Sequence, residues 1–206
     1  FDPCVVRLSS PATERYPEGM EPKATAVERY RDLRGQTAPG VLARRAAETP
    51  DRVAYRAKRL GIYQERSWRQ FRDFVAAAAA GLQTLGVGAG DRVAIMGDAC
   101  EEWTVCDLGA QALGAITYGI YPTASMSEVA YQMRDGGARV FIAEDQEYVD
   151  KILPLMDELP GLEWIVVVDT TAMFMYEDHR IRSYEDLLGL APSSPEGFDA
   201  LVGDLD

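Results

Sequence analysis

Four short apolar runs divide the middle of this sequence: Val93-Ala94-Ile95, Ile116-Thr117-Tyr118, Val140-Phe141-Ile142 and Ile165-Val166-Val167-Val168. They recur roughly every 25 residues, which leaves room for one helix and two short loops between consecutive runs. Helical patterns fill these intervals at residues 101–113, 127–134 and 145–159. Short apolar strands that alternate with helices are typical of a parallel sheet buried on both faces. The sequence therefore predicts an α/β fold, a doubly wound and mainly parallel sheet with flanking helices.

Upstream of these runs, the sequence predicts two helices separated by a β-hairpin. The first helix begins near Thr37 and ends before Pro50, because a proline disfavours helical geometry in the residue that precedes it. Apolar and aromatic residues at 53–56 and 62–65 predict the two strands of the hairpin. Ser67 fits the first position of a capping box and predicts the start of the second helix.

The predicted organisation has three parts. Residues 1–36 contain four prolines and predict an irregular N-terminal arm. Residues 37–190 hold the predicted sheet and its helices. Residues 191–206 are rich in proline, serine and acidic residues, and we interpret them as an acidic linker with no helix or strand to dock. The chain begins with Phe1 and not with methionine, which favours a processed or partial sequence.

Charge and hydropathy exclude several classes of partner. The 21 basic and 33 acidic side chains give a net charge of −12, which argues against nucleic acid as a partner. Residues 104–206 carry 5 basic and 19 acidic side chains, so the excess of acid lies in the second half. No run of 18 apolar residues occurs, so we expect no transmembrane segment. A cytoplasmic location is expected, and peripheral attachment to a membrane stays open.

The scarcity of cysteine and histidine limits the chemistry. Cys4, Cys100 and Cys106 are odd in number and show no CxxC spacing, so neither a disulfide framework nor a structural zinc site is expected. His179 is the single histidine and lies in a charged stretch, which favours a solvated loop over a catalytic role. We assign no catalytic, cofactor-binding or metal-ligating residue.

The loops that follow the predicted strands do not form a phosphate cradle. Those at 97–102 and 143–147 are acidic, so a phosphate there would meet like charge. The glycine-rich run at 86–91 leaves a helix and enters a strand, whereas a phosphate loop leaves a strand and opens a helix. The uncharged loop at 120–125 is interpreted as a proline-stiffened turn with an N-cap serine in preference to a ligand contact. Trp103 is expected to be a core residue.

Six segments nevertheless match a known family in order and spacing: residues 42–52, 67–71, 85–95, 102–103, 120–123 and 129–140. The most particular are Ile120-Tyr121-Pro122-Thr123 and the segment at 129–140. Together they resemble the N-terminal part of the adenylate-forming (AMP-binding) acyl-CoA synthetases, especially bacterial long-chain fatty-acid–CoA ligases.

The resemblance implies a two-step reaction. A fatty carboxylate attacks the α-phosphorus of Mg-ATP to give an acyl-adenylate and pyrophosphate, and the thiol of coenzyme A then displaces AMP. It also implies that ATP, Mg²⁺, coenzyme A and the fatty acid are bound through the remainder of such a ligase. The family's phosphate loop, its aspartate for the ribose hydroxyls and its lysine for adenylation have no counterpart in this sequence. On this basis the chain is expected to be an N-terminal fragment, inactive by itself, and a homodimer stays open.

Two alternatives stay open. Another adenylate-forming ligase, with a short-chain, aryl or luciferase-like substrate, would share the same opening section. A stand-alone, non-catalytic α/β binding module would use the same scaffold without the chemistry. The acyl chain-length preference and the oligomeric state do not follow from the sequence.

Overall fold

The structure is a computed structural model that describes residues 36–59 and 61–205. The predicted irregular arm at 1–36 lies outside the described residues, apart from Gln36. None of the described helices combines the length and the hydropathy that crossing a bilayer requires.

The described part of the chain alternates helices and strands after an initial hairpin. Its helices are α1 (Ala38–Glu48), α2 (Trp68–Thr84), α3 (Glu101–Ala112), α4 (Met126–Gly136), α5 (Gln146–Ile152), α6 (Tyr184–Gly189) and α7 (Pro195–Gly203). Its strands are β1 (Val53–Arg59), β2 (Ile62–Ser67), β3 (Arg92–Met96), β4 (Ile116–Ile120), β5 (Val140–Ala143), β6 (Trp164–Val167) and β7 (Ile181–Ser183).

The helix starts predicted near the N-terminal end are confirmed. The Thr37 side chain accepts a hydrogen bond from the Gly40 N–H at 3.2 Å and begins α1. Ser67 and Gln70 form the reciprocal capping box of α2, in which each side chain accepts from the backbone of the other residue. These local bonds satisfy amides that a helix leaves unpaired in its first turn. Between the two helices, β1 and β2 pair antiparallel, as the hairpin prediction requires.

The central sheet has five strands in the order β4-β3-β5-β6-β7, and every neighbouring pair is parallel. The four predicted apolar runs are its first four strands in sequence, which confirms the doubly wound α/β prediction. The fifth strand, β7, was missed because it has only three residues, all half-buried, and includes the charged Arg182. Neither length nor apolar composition marks it as a strand.

Alternate residues of the strands enter two separate cores. Val93 and Ile95 of β3 pack against the face covered by α1, α2, α3, α6 and α7. Ala94 and Met96 pack against the opposite face, covered by α4 and α5. All four side chains are at most 2% exposed. Burial on both faces explains why the interior strands β3, β5 and β6 are apolar over most of their length and not alternating.

The single helix predicted at 145–159 is wrong in one respect. The structure has α5 up to Ile152, followed by a 3₁₀ helix from Leu153 to Glu158. Pro154 lies at the second position of the 3₁₀ segment. A proline lacks the N–H that a continued α-helix needs and clashes with the preceding turn, so the helix changes type there.

The expectation that residues 191–206 contain no helix or strand is also wrong, because Pro195–Gly203 form α7. Pro195 occupies the first turn, and the Ser194 hydroxyl accepts a hydrogen bond from the Gly197 N–H at 3.0 Å. Phe198 and Val202 are 3% and 8% exposed and join the core beside α1 and α2. Proline and serine thus mark a helix start here, and the apolar spacing of four residues was the overlooked signal.

Candidate functional site

The candidate site lies at the carboxyl edge of the parallel sheet, where open α/β sheets bind their ligands. Strand order places a switch point there. The connection from β3 to β4 runs to one side of β3, and the connection from β4 returns to β5 on the other side. Two crevices therefore flank the end of β3, one towards β5 and one towards β4.

The crevice between β3 and β5 is closed by the side chain of Glu144. Its Oε2 accepts a hydrogen bond from the Asp98 N–H at 2.6 Å, and the cavity left beside it has a volume of about 10 Å³. Gly97 makes this approach possible, since a Cβ there would lie 2.5 Å from the Cβ of Glu144. A cavity of this size holds at most one water molecule. The crevice has no room for a nucleotide.

The crevice between β3 and β4 is an open cleft of about 370 Å³. Its walls are Gly97 and Ala99 after β3, Trp103 from α3, and Ile120 with Tyr121 at the end of β4. These walls offer apolar and aromatic surface with no charged side chain. The cleft therefore fits an uncharged, apolar or flat group better than a phosphate.

Trp103 has two roles in the structure. It is partly buried against the core, as predicted, and it also forms one wall of the cleft. Gly119 brings β4 close to it, because a Cβ at this position would lie 3.3 Å from the Trp103 Cζ2. The sequence supported only the core role, since the register that sets Gly119 beside Ile95 of β3 is a tertiary feature.

The loop at 120–125 has the predicted turn and N-cap. Ser125 and Glu128 form a capping box, with the Ser125 N–H donating to the Glu128 carboxylate at 2.8 Å. The two hydrogen bonds from Ser125 lower the pKa of the Glu128 carboxyl. Tyr121 is 81% exposed and stands at the rim of the cleft. The serine is therefore structural, and Tyr121 is the residue of this loop placed to meet a ligand.

The electrostatics of the edge do not favour phosphate, and its described acids are not grouped as a metal site. Asp98 and Glu144 follow β3 and β5, and Asp145 is the N-cap of α5, where its side chain accepts from the Glu147 N–H at 2.8 Å. Over residues 36–59 and 61–205, no three His, Cys, Asp or Glu side chains are grouped to hold a metal ion. The described residues thus do not fit a Mg²⁺ site, and no chemical step is assigned to one.

The glycine-rich run at 86–91 is a turn, as predicted. Gly86 and Gly90 have positive φ values of 90° and 81°. The Asp91 carboxylate accepts a hydrogen bond from the Gly88 N–H at 2.9 Å. A side chain of the run itself therefore occupies the position that a bound anion would take at this amide. His179, whose side chain is 89% exposed, is the predicted solvated loop histidine.

Cys100 lies at the carboxyl edge but is not an activated nucleophile. Its Sγ caps α3 by accepting a hydrogen bond from the Trp103 N–H at 3.4 Å. Burial raises the pKa of the Cys100 thiol to about 11. Cys106, fully buried, also has a raised pKa, again because of burial. Both thiols are therefore neutral near physiological pH.

The raised pKa of Cys100 gives a pH-dependent prediction. In a chain with Cys4→Ser, we expect iodoacetamide to label Cys100 far more slowly than a free thiol at about pH 8, because only the thiolate reacts. The labelling rate should then rise with pH up to the thiol pKa of about 11. Mass spectrometry of native and urea-unfolded samples measures both rates. Equal labelling of native and unfolded Cys100 at about pH 8 would contradict the burial effect.

A second cluster ties the hairpin to the same edge, and nothing in the sequence indicated it. The Tyr55 hydroxyl and the Arg66 guanidinium both donate to the Glu101 carboxylate, at 2.6 Å each. Burial and the Glu101 acceptor raise the pKa of Tyr55, which stays protonated. A cavity of about 540 Å³ lies between β1 and the first turn of α3, beside this cluster. Tyr55 and Arg66 lie 46 and 35 positions from Glu101 in the sequence, so no local pattern reveals these contacts.

Comparison with known proteins identifies the fold family. The model of the AMP-binding enzyme family matches residues 42–199. The chain belongs to the AMP-binding enzyme family. The match extends beyond residue 190, the predicted end of the domain, and includes most of α7.

Sequence relatives of this AMP-binding family member include long-chain fatty-acid ligases. It is 32% identical over 121 residues to the long-chain-fatty-acid–CoA ligase FadD15 of Mycobacterium bovis, covering 59% of this chain and 20% of the ligase. It is 34% identical over 132 residues to an uncharacterized protein of Mycobacterium tuberculosis, covering 64% of this chain and 74% of that protein. The chain thus spans about a fifth of the length of the ligase that it matches.

Solved structures show the same family resemblance. A putative long-chain-fatty-acid CoA ligase from Rhodopseudomonas palustris superposes with a TM-score of 0.65 and 26% identity, over 79% of this chain and 38% of that one. The anthranilate CoA ligase AuaEII, in complex with anthranoyl-AMP, has a TM-score of 0.65 and 27% identity, over 80% and 30%. The AMP-binding fold is therefore shared with ligases for both fatty and aromatic acids.

Proposed function

We propose that this chain is the N-terminal section of a long-chain fatty-acid–CoA ligase. The complete protein would join a fatty acid to coenzyme A with cleavage of ATP to AMP and pyrophosphate, through an acyl-adenylate. The sequence relationship to long-chain ligases carries the proposal, since two mycobacterial FadD15 proteins match at 31–32% identity. The solved neighbours are divided between fatty and aromatic acid ligases and do not favour one substrate.

In this proposal the described residues build a wall of the site and not its reaction centre. The cleft beside Trp103 and Tyr121 offers uncharged surface, whereas the acids after β3 and β5 repel phosphate groups. ATP and Mg²⁺ would therefore be held by residues outside this chain. The rigid sheet would position the cleft, because both faces of β3 and β5 are buried.

The isolated chain is expected to be inactive. When the purified 206-residue protein is incubated with ATP, Mg²⁺, palmitate and coenzyme A, neither AMP nor palmitoyl-CoA should accumulate above the level without protein. A long-chain ligase assayed in parallel controls for the reagents. Formation of palmitoyl-CoA by the 206-residue chain would refute this part of the proposal.

The gene sequence downstream of the Asp206 codon is the direct test of the ligase proposal. An in-frame loop rich in threonine, serine and glycine that ends in lysine would support it. The protein from the complete gene would then be assayed with acetate, benzoate and palmitate. Preference for palmitate supports the long-chain assignment, and preference for acetate or benzoate overturns it in favour of another adenylate-forming ligase.

One observation favours a second candidate, a stand-alone binding module without catalysis. The uncharacterized mycobacterial relative is short enough for the matched region to cover 74% of its length. A stop codon directly after Asp206, together with a cooperative unfolding transition of the purified chain, would favour this module over the ligase.

A further inference from the structure

Within the described residues, the β1–β2 hairpin is anchored to α2 and α3 at its root. Tyr55 and Arg66 face each other across the hairpin and both bind Glu101. The Tyr55 ring also contacts Phe71 edge to face, with ring centroids 4.9 Å apart. The distal end, where Arg59 pairs with Ile62, lies four residues further along the strand, roughly 13 Å away.

The distal end of the hairpin exposes large apolar side chains. Ile62 is 68% exposed and Tyr63 is 66% exposed. Neighbouring residues of a strand point to opposite faces, so one apolar side chain stands on each face of the hairpin. A flat protein partner would cover only one of these faces. The interfacial layer of a lipid bilayer surrounds an inserted tip on all sides and covers both faces of the hairpin.

The hairpin also carries more positive than negative charge, unlike the chain as a whole. Residues 52–72 contain seven lysine and arginine residues and one acidic residue, although the net charge of the chain is −12. Four of these cations pair with acids, in the ion pairs Arg56–Glu65, Arg66–Glu101, Arg69–Asp51 and Arg72–Asp73, so the proposal rests on the charge near the tip. Near the tip, the Lys58 ammonium lies 5.9 Å from the centre of the Tyr63 ring. A tyrosine beside a lysine is a pair suited to the boundary between headgroups and acyl chains, where the ring is half buried and the ammonium meets phosphate.

From these observations we propose that the tip of the β1–β2 hairpin docks on an anionic lipid surface. Ile62 and Tyr63 enter the interfacial layer, and Lys58 meets the anionic headgroups. Because Glu101 ties the root of the hairpin to the carboxyl edge of the sheet, docking would bring that edge towards the bilayer. The proposal does not depend on ligase activity, since lipid binding is measured without ATP, acid or coenzyme A.

Another exposed apolar segment of the chain lacks the matching charge. Phe174 and Met175, between β6 and β7, are 83% and 77% exposed. Their sequence neighbours include Asp169, Glu177 and Asp178, which repel anionic headgroups. A comparison of the hairpin tip with the Phe174–Met175 segment therefore tests whether exposed apolar side chains are sufficient for lipid binding or need positive charge beside them.

Cosedimentation of the full 206-residue chain with vesicles tests the proposal. Binding is expected to vesicles of phosphatidylcholine mixed with phosphatidylglycerol, with loss at high salt, and to be weak on phosphatidylcholine alone. The double variant Ile62→Ser, Tyr63→Ser should lower the partition coefficient about tenfold or more. Lys58→Ala should lower it about fivefold, on the anionic vesicles only.

Matched controls make the result specific to the hairpin. Tyr131→Ser changes a tyrosine on α4 that is 67% exposed, and it should leave vesicle binding unchanged. Phe174→Ser should also leave it unchanged. Every changed side chain is exposed, so circular dichroism melting of each variant should match the parent chain and confirm that it is folded.

Three outcomes would overturn the proposal: no binding of the parent chain to anionic vesicles, hairpin variants that bind as well as the parent, or loss of binding in Phe174→Ser. Light scattering distinguishes a remaining possibility. If the parent chain is a dimer, the Ile62→Ser, Tyr63→Ser variant is a monomer and neither protein binds vesicles, the tip pairs with a second copy of the chain. The lipid proposal is then wrong.

Discussion

Replacing Gly81 by alanine is expected to destabilise the protein by about 3 kcal/mol. Gly81 lies in the last turn of α2, where α6 packs against it. An added Cβ would collide with the carbonyl oxygen of Leu187 and would lie 3.0 Å from its carbonyl carbon. Leu187 is fully buried, so α6 cannot yield without opening the core. Urea unfolding followed by circular dichroism measures the loss.

Two other helical glycines provide a graded control. Alanine normally stabilises a helix relative to glycine by up to about 1 kcal/mol, so a loss at Gly81 reports the collision alone. A Cβ at Gly109 would lie 3.0 Å from the Cβ of Ala78, and we expect an intermediate loss of about 1 kcal/mol. A Cβ at Gly203 meets no atom of the described residues within 4 Å, and we expect a change within about 0.5 kcal/mol. Equal stabilities for the three variants would show that α6 does not pack on α2 as described.

Replacing Glu101 by alanine is expected to cost about 3 kcal/mol as well. The Glu101 carboxylate accepts from both Tyr55 and Arg66, and the Arg66 and Glu101 side chains are only 19% and 7% exposed. Its loss removes that acceptor from a partly buried phenol and a partly buried guanidinium. Since these bonds hold the root of the hairpin, the hairpin amides should also exchange faster with solvent.

An exposed ion pair in the same hairpin is the matched control. Arg56 donates to Glu65 at 2.7 Å, but their side chains are 61% and 54% exposed. Solvent screens such a pair, so Glu65→Ala should change the free energy of unfolding by about 0.5 kcal/mol or less. Glu101→Gln retains one acceptor oxygen and should fall between the two. If Glu101→Ala is no more destabilising than Glu65→Ala, the buried cluster does not anchor the hairpin.

Local sequence patterns predicted most of the fold because each signal acts within a few residues. The capping boxes at Ser67 and Ser125 fix helix starts through bonds between residues three apart. The apolar runs predicted the interior strands β3, β5 and β6 because a parallel sheet buries both faces of such strands, and the edge strand β4 kept enough apolar residues to be recognised. The errors have the same origin. At residues 191–206, the high content of proline, serine and acidic residues led to the prediction of a linker. The four-residue spacing of Phe198 and Val202, which α7 buries against α1 and α2, indicated a helix.

The candidate site was much less predictable than the fold. The sequence correctly placed the glycine-rich run at 86–91 between the end of a helix and the start of a strand, because the order of helix and strand is a local property. It did not indicate that Glu144 fills the crevice beside Gly97, or that Trp103 faces Gly119 across a cleft. These contacts depend on which strands become neighbours, and the strand order β4-β3-β5-β6-β7 does not follow the order of the chain.

The sequence by itself determined the family, the parallel α/β class and the ends of most helices, since these depend on residue identity and on spacing within one element. Only the tertiary structure decided which crevice at the carboxyl edge is open, how Tyr55 and Arg66 converge on Glu101, and where the hairpin exposes Ile62 and Tyr63. The physical reason is that close packing and long-range hydrogen bonds join residues tens of positions apart, and no periodicity in the chain encodes those pairs.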